Sequence, residues 1–401
     1  MFTSPPKFTN IRKLTHIEGT NISRQIMCSA PRFSLNHQAN LTLPTAVVYC
    51  EGYFGQTDGK TANGLVRHSQ KYRILSVIDS KSVGLDSGDF LDQKPNGIPI
   101  VANIEEAIGC NGSVPDYFIF GIAPSSGFLS NAEKDIILQA ISLKMHIVNG
   151  LHEFLMDDPI FIEASIKHNV RVLDIRKPKQ KEDLQIFSGE IRNVDCPRIA
   201  ILGTDCALGK RTTATILANE LTNKGLKVVM IATGQTGIMQ GASYCVALDA
   251  VPSQFCAGEL ESVIIKAYKT EKPDIIIIEG QGALSHPAYS TSSFILRGSC
   301  PTSVILQHAP KRKHRSDFPD MPMPSVTSEI NLIETFSNTA VIGLTLNHEN
   351  MSLDDILTAI AGYSNELSLP VTDPLSQPVE QLLGIVLSAY PQLASKLAEK
   401  G

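Results

Sequence analysis

The stretch from Arg198 to Thr213 holds the densest set of residues that could do chemistry. It reads Arg198-Ile-Ala-Ile-Leu-Gly203-Thr204-Asp205-Cys206-Ala207-Leu208-Gly209-Lys210-Arg211-Thr212-Thr213: a short apolar strand, a glycine-bounded loop, Gly-Lys, then helical spacing. Glycines let backbone N–H groups turn toward one anion, Lys210 adds a point charge, and a helix starting there aims its positive end at the same place. The stretch therefore predicts a cradle for a polyphosphate or pyrophosphate, built from Gly203 through Thr213. It departs from the common G-x-x-x-x-G-K-[ST] pattern in two ways. Five residues separate Gly203 from Gly209, and Arg211 holds the place of the metal-binding hydroxyl, with Thr212 and Thr213 following. Either Thr212 takes the Mg²⁺, or the loop holds phosphates with little metal.

Other candidates gather where neighbouring strands should end. Asp274-Ile-Ile-Ile-Ile278 runs into Glu279-Gly280-Gln281-Gly282 and then Ser285-His286-Pro287. An apolar strand ending in a carboxylate puts an acid near a metal or a reacting group, so Glu279 is a candidate base, with His286 as its possible helper or as a turn-pinning residue. Thr233-Gly234-Gln235-Thr236-Gly237 reads as a loop whose backbone can approach a ligand, and Gln235, Thr236, Gly237 and Gln281 are candidate substrate contacts. Earlier in the chain, Gly59-Lys60-Thr61 also follows a strand, but Phe54 stands where a phosphate-loop glycine belongs. Lys60 and Arg67 are candidates for a substrate carboxylate or phosphate, or are solvated charges. His152-Glu153 and Asp157-Asp158 could line a cleft between domains, yet lack the histidine spacing of a metal site. Lys311-Arg-Lys-His-Arg315, the densest basic run, reads as a solvated loop or a clamp for an anionic tail.

Composition bounds the rest. The chain has 401 residues, 43% hydrophobic and 19% charged, with a net charge of −5. That is a soluble, globular balance with no basic field to favour nucleic acid or an anionic membrane. The apolar runs are too short to span a bilayer. The eight cysteines are scattered without a C-x-x-C pair, as expected of reduced thiols in a cytoplasmic setting, and Cys206 inside the loop is either a small filler or oxidisable. Residues 1–40 read as a basic, acid-poor extension, either solvated or an organelle-targeting segment.

Short apolar runs alternate with helical segments from Thr45 onward. Strands are expected at 46–50, 74–78, 98–101, 116–120, 146–148 and 170–173, then at 198–202, 227–231, 274–278, 303–306 and 341–344. Helices are expected near 104–108, 131–144, 210–223, 257–270, 353–362 and 378–389. The pattern is α/β, with two doubly wound, mostly parallel sheets: a first domain over 41–180, a charged linker over 181–197, and a second domain over 198–401 that opens on the phosphate loop.

The series GYFGQTDGKTANGLVRHS, GIPIVANIEEAI, GIAPSSG, GLHEFLMDDP, DIRKP, GTDCALGK, ATGQTGIM and EGQGALSHPAYS resembles the two-domain P-loop family that includes D-glutamate N-acetyltransferase. The resemblance runs from about Glu51 to Pro374. It implies a Rossmann-like domain before a P-loop domain, and acetyl transfer from acetyl-CoA to the amine of an acidic D-amino acid. Acetyl-CoA carries a pyrophosphate, so the loop could hold it without hydrolysis, and Arg211 suits a metal-poor use. Under that reading Glu279 and His286 take the proton, loop N–H groups steady the oxyanion, and Lys60, Arg67 and Arg297 are guesses for substrate carboxylates. The alternatives are an ATP- and Mg²⁺-dependent kinase or amide ligase, with Thr212 on the metal, or a non-catalytic nucleotide-binding protein. A small-molecule substrate, no nucleic acid or membrane partner, and a homo-oligomer are expected.

Overall fold

A computed structural model describes residues 43–124 and 126–399, so the reading of 1–40 as an extension lies outside the described residues. The first sheet is built from β1 (Thr45–Tyr49), β2 (Arg73–Ile78), β3 (Ile100–Val101), β4 (Tyr117–Phe120), β5 (His146–Asn149) and β6 (Val172–Asp174). Its order is β3-β2-β1-β4-β5-β6 and each pairing is parallel. This is the dinucleotide-fold order, in which ligands bind beyond the carboxyl ends of the strands. Helices α1 (Lys60–Arg67), α2 (Ser87–Asp92), α3 (Ile104–Asn111), α4 (Asn131–Ser142) and α5 (Pro159–His168) make the crossovers. A capping box, in which Ser130 and Glu133 satisfy each other's backbone N–H, starts α4, and the Asp158 carboxylate caps α5.

The second sheet contains β7 (Arg198–Gly203), β8 (Val228–Ala232), β9 (Tyr244–Cys245), β10 (Ile275–Glu279) and β11 (Ser303–His308). A small antiparallel pair, β12 (His314–Arg315) and β13 (Phe318–Pro322), stands apart, and β14 (Val341–Leu346) and β15 (Val371–Thr372) complete the sheet. The order is β15-β14-β11-β7-β10-β8-β9, again parallel throughout. β7 is central, and its six residues are buried, as a strand covered on both faces requires. Between and after the strands run α6 (Lys210–Asn223), α7 (Gln235–Gln240), α8 (Ser253–Glu271), α9 (Thr291–Ser299), α10 (Val326–Ser337), α11 (Leu353–Leu367), α12 (Val379–Ala389) and α13 (Pro391–Ala398). Among the described residues no helix is long and apolar enough to cross a membrane.

The expected strands and helices are present, and the two sheets are the two α/β units read from the sequence. One expectation fails: the segment after β8 is not an open loop but the short helix α7, packed against α1 of the first sheet's layer. The segment over 181–197 is likewise not free. Its backbone N–H groups at Gln185, Ser188 and Ile191 donate to the buried carboxylates of Glu259 and Glu261 on α8.

Gly280, which follows β10, shows how tightly the central strands meet: a Cβ there would lie 2.0 Å from the Ile201 carbonyl oxygen. Backbone cannot yield as a side chain can. Gly280→Ala should therefore destabilise the chain by on the order of 3 kcal/mol, read as a lowered denaturation midpoint by circular dichroism. An unchanged midpoint would mean the contact relaxes freely.

Candidate functional site

The loop between β7 and α6 is held by its surroundings in a shape that turns its N–H groups inward. Ala207 (φ 49°) and Gly209 (φ 91°) take left-handed conformations, and successive peptide N–H groups in such alternation form an anion-binding concavity. Among the described residues no acceptor takes the backbone N–H groups from Asp205 to Thr212. The outward faces of the same peptides are occupied. Arg312 donates to the carbonyls of Cys206 (2.8 Å) and Ala207 (3.2 Å) and to Asp205 Oδ2 (3.1 Å). Glu349 accepts two bonds from the same guanidinium, and Asn347 donates to the Leu208 carbonyl. The run over 311–315 thus divides: Lys311, Lys313 and His314 are exposed, as a solvated loop would be, whereas Arg312 and Arg315 are built into the back of the phosphate loop.

The side chains of the loop split into two groups. Thr204, Asp205 and Thr213 turn into the protein: Thr204 Oγ1 meets His308 Nδ1, Asp205 Oδ2 accepts from Arg312 and from Ser316 N, and Thr213 Oγ1 donates to Gln307 Oε1. Of these three only Asp205 keeps a free backbone N–H, because those of Thr204 and Thr213 donate to the Gln307 and Gly209 carbonyls; this corrects the expectation that Thr204 and Thr213 hold a phosphate. Gly203 is required by close approach, since a Cβ there would meet Lys210 Cδ at 3.0 Å and the Gln307 carbonyl at 3.1 Å. Lys210 stays with the cradle. Its ammonium is buried and donates to the Asp205 carbonyl, and burial pushes its pKa down to about 8, against the pull of Cys206 and Asp205. Thr212 is half-buried beside it.

Arg211 and Glu279 form a pair across β7 and β10. Arg211 Nη1 lies 3.3 Å from Glu279 Oε2, which also accepts from Thr233 N at 3.1 Å. Arg211 Nε donates to Gln240 Oε1. Burial raises the Glu279 pKa, opposed chiefly by Arg211. In a metal-using loop a hydroxyl and a strand-end acid hold Mg²⁺ between them; here a guanidinium occupies that relationship with the acid.

His286 is near the loop but is not arranged as a base. Its Nδ1 accepts N–H bonds from Ala288 and Tyr289, at 3.2 Å each, and its ring stacks on Tyr289 at 4.5 Å. Those bonds put the proton of the neutral ring on Nε2, 3.8 Å from Asp205 Oδ1. Burial, then Arg315, lowers its pKa. With no free lone pair, His286 pins a turn rather than removing a proton. Asp205, Cys206 and His286 offer three donor atoms within 4.8 Å of one another, but the nitrogen facing Asp205 carries that proton and the arginines already neutralise Asp205. The set does not fit a cation.

The remaining sequence candidates scatter. Lys60 is exposed, and its charge is felt at Cys206 and Lys210. Gln235 and Thr236 belong to the contact between the sheets' layers: Gln235 Oε1 accepts from buried Arg176, and Thr236 Oγ1 lies 3.3 Å from Thr61 Oγ1. Gly237 leaves room for Arg211 and Glu279, and Gln281 donates to the Thr233 carbonyl. Arg67 pairs with Asp92 and lines a separate cavity of the first domain. Arg297 stacks its guanidinium over Phe336 at 4.9 Å on α9, whose last turn reaches Arg198 at the amino end of β7. Arg297 therefore sits at the wrong end of the sheet. Glu153 and Asp157 are tied to Lys134 and Lys177. His152, a candidate cleft residue, is half-exposed, 3.8 Å from Asp249, with a pKa lowered by burial and then by Arg176.

Comparison with known proteins agrees with this two-layer plan. Residues 185–383 match the family described as the DUF1611_C P-loop domain, and residues 80–178 the DUF1611_N Rossmann-like domain. A protein of Pseudoalteromonas sp. named D-glutamate N-acetyltransferase is 33% identical over 272 residues, covering 66% of this chain and 80% of that one. One of the same name from Tritonibacter scottomollicae is 30% identical over 270 residues, covering 64% and 76%. The crystal structure of a DUF1611 family protein from Anabaena variabilis superposes with a TM-score of 0.79 at 31% identity, over 86% of this chain and 99% of that one.

Two outcomes test the loop. An anion on it raises the Lys210 pKa from about 8, so binding of ADP at pH 8.5 should take up protons, and less so at pH 6.5; calorimetry in buffers of different ionisation enthalpy measures this. Arg312→Lys, which keeps the charge but loses the fork of donors, should weaken ADP roughly ten- to a hundred-fold. Retained affinity would show that the loop keeps its shape unaided.

Proposed function

The chain belongs to the DUF1611 family, and from that membership together with the loop we propose that it moves an acetyl group from acetyl-CoA to the amine of an acidic D-amino acid such as D-glutamate. The observation that carries the donor is the run of N–H groups from Asp205 to Thr212 without an acceptor among the described residues, beside the buried Lys210 ammonium. That is a fixed site for the donor's pyrophosphate. The Arg211–Glu279 pair favours this use over Mg-ATP chemistry, because the acid that would reach the metal is already neutralised by a guanidinium.

The donor's own length then assigns roles. Its thioester lies at the far end of the pantetheine arm, many bonds from the pyrophosphate, whereas Glu279 sits beside the loop. Glu279 is therefore read as the group that orients Arg211 toward the phosphates. The amine's proton goes to a group farther along the carboxyl ends of the strands. His152, beyond β5, is neutral at pH 7 and is backed by Asp249 at 3.8 Å, an arrangement suited to accepting a proton and stabilising the imidazolium. Exposed Lys60 is placed to take an anionic group of donor or acceptor.

Purified protein given acetyl-CoA should release free thiol only when D-glutamate is present. Lys210→Ala should raise the KM for acetyl-CoA at least about ten-fold. His152→Ala should lower kcat about a hundred-fold, while Glu279→Gln should act mainly on the donor KM. A fall in kcat for Glu279→Gln with KM unchanged would return the base to Glu279. ADP or AMP formed from Mg-ATP in a D-glutamate-dependent manner would replace acetyl transfer by the ligase or kinase reading.

A further inference from the structure

The first domain contains a cavity of about 450 Å³ on the outer face of α1, at the carboxyl ends of β1 and β2. It owes nothing to the phosphate loop. Asp79, directly after β2 and 1% exposed, lines it. Asp79 Oδ1 accepts from the N–H groups of Gly52 and Lys81, at 3.0 Å each, and among the described residues no donor takes Oδ2. In this strand order an acid at the end of the second strand meets ribose hydroxyls. Gly52 (φ +73°) lets the Lys81 ammonium lie across the turn, 3.1 Å from where a Cβ would be. Lys81 makes no ion pair among the described residues, whereas Arg67, also at the wall, is already paired with Asp92. Phe90, 43% exposed and stacked on Phe54 at 5.6 Å, offers a ring on the same wall.

A hydroxyl acceptor, a cationic edge and an aromatic face are the three contacts a nucleotide needs, and the volume falls in the range of small-molecule pockets. The turn also sets its size. In dinucleotide folds a pyrophosphate sits on the helix that follows the first strand. Here the start of α1 is turned to the other domain, with Thr61 against Thr236. Room remains for one nucleoside and one phosphate group. We propose that this cavity is a second binding site, for a nucleoside monophosphate, separate from the P-loop and independent of the acetyl-transfer reading.

Calorimetric titration of AMP into the full chain tests it. AMP should bind one-to-one, with the same affinity to the Lys210→Ala chain as to the wild type. Lys81→Glu should abolish binding, Lys81→Arg should preserve it, and Phe90→Ala should weaken it about ten-fold; these side chains are exposed, and thermal midpoints check that the variants fold. Three results overturn the proposal: no AMP binding up to about 1 mM, loss of binding in Lys210→Ala, or indifference to both Lys81→Glu and Phe90→Ala. Displacement of AMP by D-glutamate would assign the cavity to an amino acid instead.

Discussion

A peptide plane has two sides, and the site depends on both being used. The loop N–H groups can face one anion only if the carbonyls of the same planes find partners elsewhere. Arg312 supplies them, its guanidinium divided among Glu349, Asp205 and the Cys206 and Ala207 carbonyls, while Asn347 takes that of Leu208. A half-buried guanidinium bonded this fully is a rigid brace, because each donor it would otherwise leave unpaired would cost desolvation energy. The brace comes from the segment after β11, next to β7 in the sheet, so the sheet order itself brings brace and loop together.

Charge is managed on the same plan. Burial raises the pKa of the Glu279 carboxylate, and its contacts with Arg211 and Thr233 N work against that rise. Lys210 shows the converse, a buried ammonium pushed down to about 8. An incoming phosphate relieves the penalty on Lys210 by giving it a counter-charge, and it gives the free N–H groups acceptors. Lys210 and the free N–H groups thus lack an anionic partner, while the Glu279 carboxylate already has a cationic one in Arg211. Fixed donors of this kind would hold a phosphate as an anchor, as the proposed acetyl-CoA donor requires.

What could be read in advance followed from local chemistry. The buried runs at 198–202 and 275–278 announced central parallel strands, and Gly209-Lys210 at a strand-to-helix turn announced the cradle. What could not be read depended on direction. Arg67 and Arg297 are cations on helices, and nothing in a one-dimensional pattern says which end of a sheet or which side of a helix faces the site. Gly234 through Gly237 looked like loop because two glycines lower helix propensity, yet Gly237 is required inside α7, where a Cβ would come within 2.6 Å of Arg211 Nη1 and 2.9 Å of Glu279 Oε2. The run at 311–315 looked solvated because its partners, loop carbonyls, have no sequence signature at all.

The two domains meet through polar contacts that leave little freedom to the cleft. Gln240, at the end of α7, donates to the Gly64 carbonyl on α1, accepts from Arg211 Nε, and through its own carbonyl accepts from Gln70 N. Arg176, buried, joins the Gly150 carbonyl of the first domain to Gln235 and Asp249 of the second. Each bond sits in a partly desolvated seam, where breaking one leaves a buried polar group without a partner. The carboxyl ends of both sheets are in this way fixed beside a common seam. Arg211 is shared between that seam and the acid next to the phosphate loop. Its other bond reaches, through Gln240, to the Gly64 carbonyl on α1, so one guanidinium ties the acid beside the loop to the first domain.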